Sequence, residues 1–446
     1  MRGMRGLLAW AMVVGGGGVA SAQDAVPADA AARWWKGNLH THTFWSDGND
    51  FPEMVGEWYR TNGYNFLALS DHNVMSQGER WMELSEIERR SRGGALGKYL
   101  DRFGADWVEM RTNPGTGLQE VRLQQFEEYA ALLEERGRFI MIPAEEITSS
   151  FERLPVHINA ANLAGRIAPI SGESVEDVIR RTMRAVEAHA AERGRVVLAH
   201  LNHPNFGYGV TAEDFARVVK DRFFEVFNGH TGVNNHGDGT RAGMEEVWDI
   251  VSTIRIAELG VAPIMGIATD DSHSYHDDSP VSIPGRGWVM VRATHLTPGT
   301  ILEAMHRGDF YASTGVELES VAFEAGSEGG NGRLTVVIAG EEGVSYTTRF
   351  VGTRRGVDLR SEPRVDASGA EVRATRRYSD AIGEVFAEVE GTRAAYTLAG
   401  DELYVRAVVV SSAAPERPTR ESVVEMAWTQ PVGWGRWVGE GEDGGR

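Results

Sequence analysis

The 446-residue chain has no cysteine. Disulfides are therefore excluded, and so is a lipid anchor attached through a cysteine. It has no run of roughly 18 or more unbroken apolar residues of the kind a membrane-spanning helix requires. It also lacks a basic excess: 45 lysines and arginines face 64 aspartates and glutamates, for a formal charge of -19. Such a surface repels nucleic-acid phosphates, and no basic run compensates for it, so a nucleic-acid partner is excluded while the charge inside a cleft stays open. Internal repeats and long low-complexity tracts are absent too.

What remains is an ordinary soluble composition, 42% apolar and 9% aromatic, in a chain longer than one core usually fills. A large domain plus a smaller one is expected. At the N-terminus, Arg2 and Arg5 precede the apolar run LLAWAMVVGGGGVA, and Ala20-Ser21-Ala22 forms a small-x-small site before Gln23. These features predict an export signal over residues 1–22 and a periplasmic or secreted mature chain without a membrane span.

Over residues 34–316, short apolar runs alternate with helix-like stretches, the pattern of an α/β fold built from βα units. The strand candidates NFLALSDH, RFIMIPAEEIT, RVVLAHLNH, FFEVFNG and PIMGIATDDSH each lead from apolar residues into polar or ionisable ones. Strands that carry a site at their C-terminal ends read this way. Residues 76–120 interrupt the alternation and predict a partly helical insertion near the site mouth. Over residues 317–446 the runs LTVVIAG, VSYTTRFVG, EVFAEVEG and ELYVRAVVVSS have no amphipathic helix between them and predict a small all-β sandwich-like domain, with an envelope ligand as its possible partner.

The stretch GNLHTHTFWSDG carries the densest chemistry. On a strand, residues i and i+2 share a face, so His40 and His42 project together. Alone such a pair is weak evidence, but ionisable groups recur at further strand ends: Asp71-His72, Glu145-Glu146 with His157 just beyond, His203-Pro204, and Asp271-Ser272-His273.

In order, LHTHTFWSDG, ALSDHN, AEEIT, VHI, NHP and DSH resemble the motif series of the polymerase and histidinol phosphatase (PHP) superfamily, over roughly residues 34–316. Leader, insertion and β-rich tail are similar to the secreted PHP-like branch that includes carbaryl hydrolase. The resemblance implies a distorted (β/α)7 barrel. It also implies two to three divalent metal ions (zinc, manganese or iron) on His40, His42, Asp47, His72, Glu146, His157, His203, Asp271 and His273, with Glu146 bridging two of them. A second acid stands before Glu146 and another before Asp271, which leaves the register open by one at both places. His200 competes with His203, although the proline after His203 favours the latter.

The implied chemistry is hydrolysis by a metal-bound hydroxide, with Asp271 as a further proton acceptor. A phosphomonoester or phosphodiester of a small molecule is the leading substrate. A carbamate, amide or carboxyl ester is the alternative, and an envelope-binding protein with a vestigial site a third reading. Outside the ligand series, His230 is a candidate proton donor to the leaving group, while Asn228, His236 and Arg286 are candidates for substrate contact, Arg286 through its planar fork.

Overall fold

The computed structural model describes residues 31–276, 281–326 and 331–439; the expected export signal lies outside them. Residues from Ala32 onward form one compact unit. Its frame is a mixed sheet whose strands, in chain order, are β1 (Arg33–Asn38), β2 (Phe66–Leu69), β3 (Ile140–Phe151), β4 (Leu154–Ala161), β5 (Leu198–Leu201), β6 (Phe223–Asn228), β7 (Met265–Thr269), β8 (Trp288–Ala293), β9 (Phe310–Ser313), β10 (Tyr346–Arg354), β11 (Glu384–Glu390), β12 (Glu402–Ser411) and β13 (Met426–Thr429). Their spatial order is β7-β6-β5-β4-β3-β2-β1-β8-β9-β13-β12-β10-β11.

The first seven strands thus neighbour one another in chain order. β1, β2 and β3 pair in parallel, as do β5, β6 and β7. Buried on both faces, β2 reads FLAL and β7 MGIAT, the continuous apolar runs that parallel strands require. β4 departs from the all-parallel pattern of the expected barrel. The turn at Glu152-Arg153 folds it back antiparallel on β3, and it pairs antiparallel with β5 as well.

One core cluster takes Trp35, Phe66, Ile142, Ala161, Leu198, Phe223, Ile267 and Val289, one or more from each of β1 to β8, which only a strongly curled sheet permits. Among the described residues no ladder joins β7 to β1. Their continuations meet instead through a single bridge, Thr41 to Ser272, with the His42 N–H donating to the Ser272 carbonyl and the Asp271 N–H to the His40 carbonyl. The observed architecture is therefore a mixed α/β fold around a large mixed sheet whose first seven strands curl until the continuation of β7 meets that of β1 at one point. Helices cover it, the longest being Val175–Arg193, which is capped by the Ser174 side chain and stopped by Gly194 at a φ of 58°.

The insertion contains helices Leu84–Ser91 and Ala95–Phe103 with a separate small sheet of Arg80–Glu83, Gln119–Leu123 and Met110–Thr112. Phe44, Trp45 and Phe51 from the loop after β1 pack into it. The tail has a second three-stranded sheet, Leu318–Glu324, Arg333–Ile338 and Arg393–Thr397. Its apolar residues Leu318, Leu334, Val336 and Ala394 share a core with Tyr346, Phe350, Val405, Ala407 and Val409 of the large sheet, a sandwich-like arrangement. The tail's β13 pairs with β9, so the large sheet runs on from the first region into the tail.

Candidate metal centre

The loop after β1 is pinned from below. Asp71 accepts from the Thr43 N–H at 2.8 Å, the Thr43 hydroxyl at 2.8 Å and the Ser46 hydroxyl at 2.6 Å. Gly48 lets the loop turn back on itself, because a Cβ there would sit 2.5 Å from the His42 carbonyl. Asp47 is brought over the histidines by this turn, with Oδ1 3.3 Å from His273 Nε2 and Oδ2 3.5 Å from His72 Nε2.

Glu146 occupies the middle. Its Oε2 lies 3.3 Å from His40 Nε2, 3.2 Å from His42 Nε2 and 3.0 Å from His72 Nδ1, and its Oε1 lies 2.9 Å from His157 Nδ1 and 3.6 Å from His203 Nε2. Strand alternation resolves the open register. Glu145 faces away and accepts from the Ile167 N–H, so Glu146 is the inward acid. Asp270 likewise faces outward to Tyr59 and the N–H groups of Gly285, Arg286 and Gly287. Asp271 faces inward, its Oδ1 3.2 Å from both His40 Nε2 and His42 Nε2. His203 and Asp271 hold φ values of 26° and 48°, left-handed conformations that non-glycine residues adopt at a cost and that gather at functional sites.

All nine ligands implied by the sequence fall into overlapping groups whose donor atoms lie within 4.8 Å of one another. Glu146 belongs to two groups, one with His40 and His203 and one with His72 and His157; His40 and His42 share a third with Asp271; and His42, Asp47, His72 and His273 form a fourth. Divalent cations fit these positions on two counts. Bonds of about 2.1 Å at angles of roughly 90–109° put neighbouring ligand atoms about 3.0–3.4 Å apart, the spacing found around Glu146 and Asp271. In addition, His42 Nε2, His157 Nδ1 and Asp271 Oδ1 are buried without a hydrogen-bond partner, a costly arrangement that a cation would relieve.

Electrostatics agree. Burial opposes charge on Glu146, yet His72, His40 and His157 hold its carboxyl well below the usual carboxylate range. Burial, together with the neighbouring His273 and His72, pushes His42 down to about 3. His72 resists its own burial because Glu146 and Asp47 outweigh it, and is pushed up to about 9. The carboxylates are thus ionised, and the protons they hold on neighbouring imidazoles are those a bound cation displaces.

The residues expected to touch substrate are placed less uniformly. His230 stands at the edge, its ring centroid 5.8 Å from that of His273. Its Nδ1 accepts from the Gly232 N–H, which puts the proton of the neutral ring on Nε2; burial lowers its pKa and favours that neutral form. The other three, also expected to contact substrate, have different surroundings. Asn228 is buried with both ends of its amide engaged, donating to Glu225 at 2.8 Å and Asp271 at 3.1 Å and accepting from the His230 N–H, so it positions acids. Arg286, 2% exposed, donates to the backbone carbonyls of Gly229 at 2.8 Å and Val281 at 3.1 Å and ties loops together. His236 is exposed and lies outside the ligand groups.

Two members of the centre went unassigned in the sequence. His200 and Glu225 form a further group with His40 beneath the others. The signal for Glu225 was an acid set between Phe224 and Val226 in the otherwise apolar run FFEVF.

No family model and no curated protein matches the chain. Among solved structures it is similar to a two-domain protein from Bacteroides vulgatus containing a predicted PHP-like metal-dependent phosphoesterase, at 13% identity over 90% of this chain and 96% of that one, with a TM-score of 0.38. It is also similar to a candidate metal-dependent phosphoesterase from Bifidobacterium adolescentis, at 11% identity over 55% of this chain and 89% of that one, with a TM-score of 0.29. Both likenesses are too remote to add to what the side chains show.

Proposed function

We propose that the chain is an exported, multinuclear metal-dependent hydrolase that cleaves phosphoesters of small molecules. The observation that carries this reading is the buried carboxylate of Glu146, shared by two ligand groups and surrounded by five imidazoles from four separate segments. When bound, two to three divalent ions supply Lewis acidity for the phosphoryl group and for the attacking water. His40, His42, Glu146, His203 and Asp271 would hold the buried positions, with His72, His157, Asp47 and His273 extending the set toward solvent. Neutral imidazoles add no charge to offset the cations, and only three carboxylates do, so an acidic protein presents a positive cleft to an anionic substrate. Asp271 is fixed through Oδ2 by Asn228; besides offering Oδ1 to a cation, its carboxylate would accept the proton of the attacking water. His230 offers its Nε2 proton as a hydrogen bond to the leaving group.

Overlapping groups favour phosphoester over carbonyl chemistry, because several cations clamp the charged oxygens of a phosphoryl group whereas a carbonyl needs one. Turnover of 4-nitrophenyl phosphate and 4-nitrophenyl acetate by wild type, His72→Ala and His273→Ala tests the reading. We expect phosphate turnover to fall by roughly 100-fold or more in both variants. Acetate turnover well above phosphate turnover, and indifferent to both substitutions, would reverse the choice of bond.

A further inference from the structure

Glu225 is 1% exposed and sits at the centre of β6, beneath the ligand cluster. Every polar contact it makes leads to the site or to the strands that carry it. Oε1 is 2.7 Å from His40 Nδ1 and accepts from the Thr269 hydroxyl of β7 at 2.8 Å. Oε2 accepts from the His203 N–H at 2.7 Å and from the Asn228 amide at 2.8 Å, the same amide that donates to Asp271. His200 Nε2 lies 3.5 Å away. The carboxylate therefore touches or reaches through one residue three of the proposed ligands, which arrive from β1, β5 and β7.

We infer that Glu225 is the positioning residue of the metal centre, setting the tautomer and orientation of His40, the backbone placement of His203 and, through Asn228, the orientation of the Asp271 carboxylate. The inference rests on the metal-centre reading above. A proton held on His40 Nδ1 by Glu225 leaves the Nε2 lone pair facing Glu146 and Asp271, the direction in which a cation is bound. A carboxylate behind a ligating histidine raises its basicity and fixes its ring, and loss of such a partner typically weakens metal affinity about 10–100-fold. The 2.7 Å approach to His40 Nδ1 is a hydrogen bond, so Glu225 supports the ligands from behind. Oε2 also holds the His203 N–H, and His203 has a φ of 26° before Pro204; without that acceptor the strained backbone loses one of its restraints.

Glutamine cannot replace this carboxylate. One end of its amide still accepts, but the other presents N–H groups to donors, either to His40 Nδ1–H and Thr269 or to His203 N–H and Asn228. The test is metal affinity of the full-length protein, stripped with a chelator and titrated with Zn2+ or Mn2+ against a chromophoric competitor, for wild type, Glu225→Gln and Glu225→Ala. Asp221→Asn serves as the control, a fully buried carboxylate two residues before β6 that belongs to no ligand group. Thermal melts accompany each titration. We expect both Glu225 variants, while folded, to bind at least one ion about 10–100-fold more weakly, with full occupancy regained at high metal, and the control to bind as wild type. Should the alanine variant fail to fold, the glutamine variant decides. Variants that bind every ion with wild-type affinity, whether or not their melting temperature falls, would reduce Glu225 to a structural residue and overturn the inference alone. Wild-type protein that takes up no ion would overturn the metal-centre reading with it.

Discussion

Single residues in this molecule separate two uses of a buried acid. Glu146, Asp271 and Glu225 lie among imidazoles and stay ionised. Glu53 is equally buried but has no cation nearby: its Oε1 accepts from Tyr99 at 2.5 Å and Trp107 at 2.9 Å, and its Oε2 has no partner. Burial, aided by the neighbouring charge of Asp50 and opposed by hydrogen bonds from Tyr99, its own backbone N–H and Trp107, pushes it up to about 7. The folded state therefore favours its protonated form. Its contribution to stability is present in full below the unfolded value of about 4.5 and is lost as the pH rises through about 7. Glu53→Gln, neutral at every pH, removes that loss. Urea unfolding at pH 4.5 and pH 8 should show wild type falling relative to the variant by on the order of 3 kcal/mol. Parallel behaviour of the two proteins would mean that Glu53 titrates normally.

At the scale of elements, the last strand matters more than its position in the chain suggests. β13 pairs Ala312 with Trp428 and Tyr311 with Thr429, Trp428 is buried among Phe227, Trp248 and Val408, and Gln430 clamps the backbone of Gly266 in β7 at 3.0 and 2.9 Å. A chain ending at Val316 would expose the edge of β9 and the core under Trp428, and β7 would lose the Gln430 clamp. We expect such a chain to aggregate or to lack a cooperative melt; a soluble, metal-binding fragment with wild-type turnover would show that the first region stands alone. The sequence alone pointed the other way, to a tail separable near residue 317, because texture is a local property and the pairing of β9 with β13 spans more than a hundred residues. The implied ligands were legible as a set for the opposite reason, since most follow an apolar run, but the sequence left the register open at Glu145-Glu146 and Asp270-Asp271, and it is the fold that turns Glu146 and Asp271 toward the histidines. Glu225 stayed hidden within a run that reads as core, while His200 reads only as a competitor of His203. The buried engagement of Asn228 and Arg286 was not legible, because Asp271 and the Gly229 carbonyl reach them from segments distant in sequence. The antiparallel return of β4 depends on the Glu152-Arg153 turn, with Glu152 at a φ of 54°, which no glycine or asparagine announced.

For the molecule as a whole, the curled first half of the sheet gathers ionisable groups at one end, and the continuous second half holds that curvature against the tail. Arg406 of β12 contributes to this with a buried two-pronged bond to Asp249 of helix Met244–Ile254, at 2.9 and 2.7 Å, to which Tyr404 adds a third at 2.8 Å. In a chain with a net charge of -19 and no cysteine, the proposed function has cations held by nitrogen and oxygen ligands supply the positive charge of the cleft. Elemental analysis of the purified full-length protein, produced with zinc, manganese and iron supplied and then dialysed, measures this directly. The account predicts two to three transition-metal ions per chain, falling by at least one in Glu146→Gln, whose amide cannot replace the shared carboxylate. One ion or fewer per chain in the wild-type protein would contradict it.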